Sequence, residues 1–167
     1  MTFLYEMEES EKMEMEKKKT RLTDSKNRIQ ELERLMCRIY EDMILEKIPN
    51  TRYEILNNVV YTESWCSKYE NRATVKHWFN EWNTRGKVLA WDIKQFFHSE
   101  HQTVVEWYFK NKMNDGRIEE FDGISLVEWT KENKIKKLKE FGCNINHYNP
   151  YENSEKPQFR DDGASWF

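Results

Sequence analysis

The chain has 167 residues, 38% of them hydrophobic, 14% aromatic and 34% charged, with a formal net charge of -3. The aromatic content is enough to fill the core of one ordinary domain, the acidic balance argues against a dedicated nucleic-acid surface, and no run of about 18 apolar residues exists to span a membrane. Cys37, Cys66 and Cys143 are odd in number and widely spaced, which fits neither a disulfide framework nor a zinc site, so a reducing, cytoplasmic setting is expected.

Residues 1–21 are dominated by Glu, Lys and Met. Mixed charges at helical spacing support a helix only weakly, and the opening has no basic start followed by an apolar stretch, so a charged, partly disordered tail is expected rather than a secretory signal. From Leu22 the pattern sharpens. Leu22, Ile29, Met36 and Met43 recur every seven residues, with Leu32 and Ile39 between them, which predicts a long amphipathic helix ending near Glu46. Pro49 stops it, and Thr51 with Glu54 at capping-box spacing predicts a short second helix. The heptads suit either packing on the chain's own domain or a coiled coil.

The character changes near Val59. Residues 59–65 read as a short strand, and residues 71–83 as a helix whose Val75, Trp78, Phe79 and Trp82 share a stripe, with Gly86 as its C-cap. Residues 87–141 are a run of amphipathic strands with turns at 98–102, 114–116 and 131–134. In the clearest strand, Thr103, Val105, Trp107 and Phe109 alternate with Val104, Glu106, Tyr108 and Lys110, so both faces carry large apolar groups and one also carries a carboxylate. Asp122 before Gly123 reads as a turn or bulge residue. An α+β fold follows, a curved antiparallel sheet packed with helices and preceded by a long N-terminal helix. A polar tail, residues 146–167, is expected to be held to the domain or to a second subunit by Tyr148, Tyr151, Phe159 and Trp166.

Two resemblances sharpen this outline. Residues 26–57 resemble the helical coiled-coil segment of large serine recombinases, through Arg28, Ile29, Glu31, Leu32, Leu35, Tyr40, Glu41, Asp42, Lys47, Ile48, Arg52 and Tyr53. Nothing matches that family's catalytic domain, so the resemblance implies helix contacts and no recombinase activity. The succession VVYTESW, HWFNEWNTRGKV, WDIKQFF, TVVEWYF, EEFDGISLVEW and KIKKLKEF, over residues 59–141, resembles the SnoaL-like branch of the nuclear transport factor 2-like (NTF2-like) superfamily. That resemblance implies a cone-shaped α+β domain over residues 58–145 with an interior pocket, and a homodimer. Family members usually begin with two helices that close the cone. Here the helical segment 22–57 takes that place, and the stripe Ile29, Leu32, Met36, Ile39 and Met43 suits it to docking there.

For chemistry the candidates are carboxylates beside aromatics. Glu106 and Glu140 are read as the candidate catalytic residues, either of which could point into the cone, because a carboxylate desolvated in a pocket can act as general base or acid for proton transfer; the plainer reading of each is a glutamate satisfied structurally by a neighbouring donor. Tyr61, Glu63, Trp65, Trp78, Trp82, Trp91, Tyr108 and Phe121 are read as pocket-lining, suited to a small apolar or aromatic ligand. His98, Glu100 and His101 form only a turn-borne cluster, and no metal or cofactor is implied. The leading reading is a small-ligand-binding or accessory protein. A proton-transfer isomerase or cyclase is the alternative. A third reading makes the first helix DNA-associated through Lys17, Lys18, Lys19, Arg21, Lys26 and Arg28.

Overall fold

The computed structural model describes residues 2–44, 55–64 and 67–160, and divides into two units, Met1–Met36 and Cys37–Phe167. Helix α1 covers Thr2–Ile44 without a break, so the charged opening expected as a tail is continuous with the heptad segment. The seam is not uniform along it. Leu32, Leu35, Met36 and Ile39 are buried, while Leu22 is 57% exposed; among the described side chains the apolar spacing has its packing consequence from Leu32 onward. The short helix expected from Thr51 and Glu54 starts outside the described residues, and Ile55 and Leu56, which would continue it, open a strand.

The second unit is built on a curved six-stranded sheet. Its elements are β1 (Ile55–Thr62), β2 (Lys68–Glu70), α2 (Arg72–Trp82), β3 (Gly86–Ser99), β4 (Gln102–Met113), β5 (Ile118–Trp129) and β6 (Ile135–Asn144). The order across the sheet is β2-β1-β6-β5-β4-β3. All neighbours are antiparallel except β1 and β6, so the sheet is mixed rather than wholly antiparallel. Chain direction explains the exception. After β1 and β2 the chain crosses through α2 to the far edge and returns by hairpins, and its last strand enters between β5 and β1.

Helix α2 starts where Asn71 takes a positive φ of 67° and its Oδ1 accepts from the Thr74 backbone N–H at 3.0 Å, a side-chain cap for an otherwise orphan donor. Gly86 does not cap its other end, as its position suggested. Asn83 is the C-cap, with turns through Thr84 and Arg85, and Gly86 already belongs to β3, where a Cβ would sit 2.7 Å from the Lys112 carbonyl oxygen. The β4–β5 turn at Asn114-Asp115-Gly116 uses glycine for its positive φ of 91°. That turn is tied to the α2–β3 loop by Asn114, whose Nδ2 donates to the Thr84 carbonyl at 2.7 Å.

The alternation along β4 gives the sheet its two sides. Thr103, Val105, Trp107, Phe109 and Asn111 are buried, and on β5 Gly123, Ser125, Val127 and Trp129 join them on that inner face. Trp107 and Gly123 are register partners, and a Cβ on Gly123 would lie 2.1 Å from the Trp107 indole; glycine is there so that the ring can lie across the backbone. The outer face carries polar pairs. Lys94 donates to Asp122 at 2.7 Å, which makes Asp122 a mid-strand ion-pair partner rather than the turn or bulge residue its neighbour Gly123 suggested. Beyond β6, Tyr151 and Phe159 are exposed, while the Arg160 guanidinium lies over the Tyr148 ring.

Candidate functional site

The inner face, β2 and α2 enclose a cavity of about 290 Å³ within the second unit. Eight of its fourteen described lining residues are aromatic: Tyr61, Tyr69, Trp78, Trp82, Trp91, Trp107, Phe109 and Phe121. They pack as a continuous wall. Tyr61 and Tyr69 stack at 5.6 Å between centroids, Tyr61 meets Trp78 at 4.9 Å, Trp78 stacks on Trp82 at 6.1 Å, and Trp91 stands edge-on to Trp107 at 5.6 Å. Such contacts fix ring positions, because offset and edge-on pairs are favoured over free rotation. The polar lining is Glu63, Ser64, Ser67, Arg85, Glu119 and Glu140.

Glu140 is the best-supported polar group. It sits on β6, and the entry of β6 between β5 and β1 surrounds it with donors from both sides. Tyr61 Oη donates to Glu140 Oε2 at 2.8 Å across 79 residues of sequence. Ser125 Oγ approaches Oε1 at 3.5 Å, and Ser125 in turn accepts from Trp107 Nε1 at 2.9 Å. Burial dominates nonetheless, and the Glu140 pKa is pushed up to about 7, with the Glu63 charge adding to the rise and the Tyr61 and Ser125 hydrogen bonds opposing it. A carboxyl that titrates near neutrality can both give and take a proton.

Glu63 lies just past β1 and accepts from Tyr69 Oη at 2.9 Å. Desolvation raises its pKa against hydrogen bonds from Tyr69, Ser67 and Trp78. The same burial and the Glu63 carboxylate push the Tyr69 phenol up to about 12. Glu119 on β5 is also raised by burial, opposed by Asn111 on the facing strand, and its Oε1 is enclosed without a hydrogen-bond donor. Arg85 is held by Glu81, whose two carboxylate oxygens each accept from Nη2 at 2.7 Å, and that partner raises the guanidinium pKa.

The sheet brings together most of the residues expected from sequence. Tyr61, Glu63, Trp78, Trp82, Trp91, Phe121 and Glu140 line the cavity, and Trp65 lies outside the described residues. Glu106 and Tyr108 do not line it. Both point to the outer face, where Gln95 Nε2 donates to Glu106 and Tyr108 Oη donates to Glu120. The reason is the pleat: with Val105, Trp107 and Phe109 inside, their neighbours must point out. Sequence reasoning missed Ser64, Ser67, Tyr69, Arg85, Trp107, Phe109 and Glu119. Glu119 was recoverable from alternation, since it is two residues before Phe121 on the same strand, whereas Trp107 was not, since both faces of β4 carry large apolar groups. Tyr69 sits on a three-residue strand and Arg85 in a turn, where no periodicity exists.

No family model matches the chain, and no curated protein does. Solved structures do match. A protein of ketosteroid isomerase-like fold from Catenulispora acidiphila, solved with trimethylamine, aligns over 66% of this chain and 85% of its own at 8% identity and a TM-score of 0.58. An NTF2-like protein of unknown function from Burkholderia pseudomallei aligns over 67% and 90% at 11% identity and a TM-score of 0.58. A candidate SnoaL-like polyketide cyclase from Mesorhizobium loti aligns over 64% and 97% at 12% identity and a TM-score of 0.51. The fold is therefore the NTF2-like one, with SnoaL-like structures among its neighbours. At these identities the likeness is one of fold, and one fold carries many chemistries.

Proposed function

We propose that this protein binds a small molecule in the cavity between the inner face of the sheet, β2 and α2. The single observation behind this reading is the cavity itself: about 290 Å³, walled by eight aromatic side chains and furnished with a few converging polar groups, which is the composition of ligand sites in general. Its size is near the lower end of the roughly 300–1,000 Å³ found for drug-sized ligands, so the ligand is small.

A second reading, proton transfer, is favoured by one specific feature. Glu140 combines enclosure, a phenol donor and a pKa of about 7, so its carboxylate can accept a proton from a carbon acid and return it. The protein acts in this reading as an isomerase- or cyclase-type catalyst, with Glu140 as the base and Tyr61 as its hydrogen-bond partner.

The protein is further proposed to be a cytoplasmic homodimer. The exposed register partners Ile124 and Phe141 on the outer face support self-association, and light scattering on the eluting species tests it. The binding reading is tested by titrating a panel of cationic, neutral and anionic fragments while following the indole N–H resonances of Trp78, Trp82, Trp91 and Trp107. Saturable shifts confined to these four are expected. A panel that leaves all four unmoved overturns the reading.

A further inference from the structure

We infer that the cavity selects a small organic cation, an alkylated ammonium. This rests on the binding reading above and goes further by fixing the sign of the ligand's charge. Among the described residues three carboxyl groups line the space, Glu63, Glu119 and Glu140, each from a different segment of chain. One described cation, Arg85, lines it with them, and both oxygens of Glu81 already neutralise that guanidinium. The described lining is thus short of positive charge. Glu119 Oε1 shows the shortage locally, as an enclosed carboxylate oxygen with no donor; such an atom is stabilised by a proton or by a cation brought to it.

The rest of the wall suits the same guest. Indole and phenol rings attract an ammonium through the negative face of the π-system, indole most strongly, and the attraction grows when water is excluded. An alkylated ammonium also buries methyl groups against those rings, which a metal ion cannot do. An anionic ligand would instead meet three acids around an already paired arginine.

Protonation gives the inference a second signature. The groups facing the space are Glu63 past β1, Tyr61 on β1, Tyr69 on β2, Arg85 after α2, Glu119 on β5 and Glu140 on β6. The phenol of Tyr69 stays protonated near neutrality, its pKa being about 12, and Arg85 stays charged. Glu140, at about 7, changes state there. A cation favours the ionised carboxylate, so its binding expels a proton, and a neutral guest leaves that proton in place or takes it up.

The test compares choline with 3,3-dimethylbutan-1-ol, its uncharged isostere, by titration calorimetry on the full chain in buffers of different ionisation enthalpy. Choline is expected to bind at least about tenfold more tightly than the alcohol. It should release roughly half a proton at pH 7, since Glu140 is then about half protonated. Between pH 6 and pH 8 its affinity should rise by roughly tenfold, following the ionised fraction of one carboxyl of that pKa. Glu119→Gln, nearly isosteric, should weaken choline and leave the alcohol unchanged. Equal binding of the two probes, tighter binding of the alcohol, or choline binding without proton release overturns the cation assignment. If other fragments of the panel still shift the four indoles, the small-molecule reading survives that result; if nothing shifts them, both fail together.

Discussion

The two faces of the sheet carry the same chemical pair in opposite states. On the inner face Tyr61 donates to Glu140, whose pKa is pushed up to about 7. On the outer face Tyr108 donates to Glu120, whose pKa is lowered by that hydrogen bond and by Lys110. The phenol stabilises the charged carboxylate in both places. What differs is water: desolvation of Glu140 outweighs its donors, whereas Glu120 keeps its solvent and gains a lysine. A tyrosine–glutamate contact is therefore no mark of function by itself, and the side of the sheet decides what it does.

Breaking the inner face should have the largest consequence. Gly123→Ala puts a methyl group against the Trp107 indole, and we expect a loss of about 3 kcal/mol of stability by urea unfolding, at the upper end of overpacking effects. An outer position of the same strand is the control. Ile118 is 49% exposed, and Ile118→Ala should cost less than about 1 kcal/mol. Equal losses would mean that the two faces are not packed as described.

Proton transfer gives the next effect. In 5-nitrobenzisoxazole a carboxylate base removes the C3 proton as the N–O bond breaks, opening the ring to a single product that carries both a nitrile and a phenolate, which makes the compound a general probe of desolvated carboxylates. Turnover by the wild type should rise with pH through about 7, as Glu140 ionises. Glu140→Gln should lose on the order of 100-fold, the lower range for a general base. Glu106→Gln, altered on the outer face, should lose nothing. A loss in Glu106→Gln equal to that in Glu140→Gln would remove Glu140 as the base.

The pH dependence of stability sharpens the comparison. Glu140 binds its proton more tightly in the folded chain than at the ordinary value of 4.5. Its contribution is therefore fully present below about pH 4.5 and is lost as pH rises towards 7, with a slope of at most roughly 1.4 kcal/mol per pH unit. Glu120 has the opposite sign, stabilising above its ordinary range and losing that contribution as pH falls. Urea midpoints between pH 5 and pH 7.5 should drop less steeply in Glu140→Gln than in the wild type. An unchanged slope would place the Glu140 carboxyl in water.

The smallest effect comes from the phenols. Tyr61→Phe removes the donor to Glu140 and should cost about 1 kcal/mol above pH 7 while moving the carboxyl titration upward, read from its carbon resonance. Tyr108→Phe should produce no measurable change in stability.

The sequence alone determined the alternation of β4 and β5, the α2 stripe and the turns between the long strands, because each is a local pattern repeated every two or every three to four residues. It also put most of the cavity's aromatic wall on the candidate list. It did not determine which face of β4 looks inward, since both faces carry large apolar groups, and so Glu106 and Glu140 stood as equals. Only the tertiary structure separated them. The parallel insertion of β6 beside β1 joins Tyr61 to Glu140 across 79 residues, and enclosure rather than residue type sets the state of that carboxyl; neither a distant pairing nor the loss of water is written in local spacing.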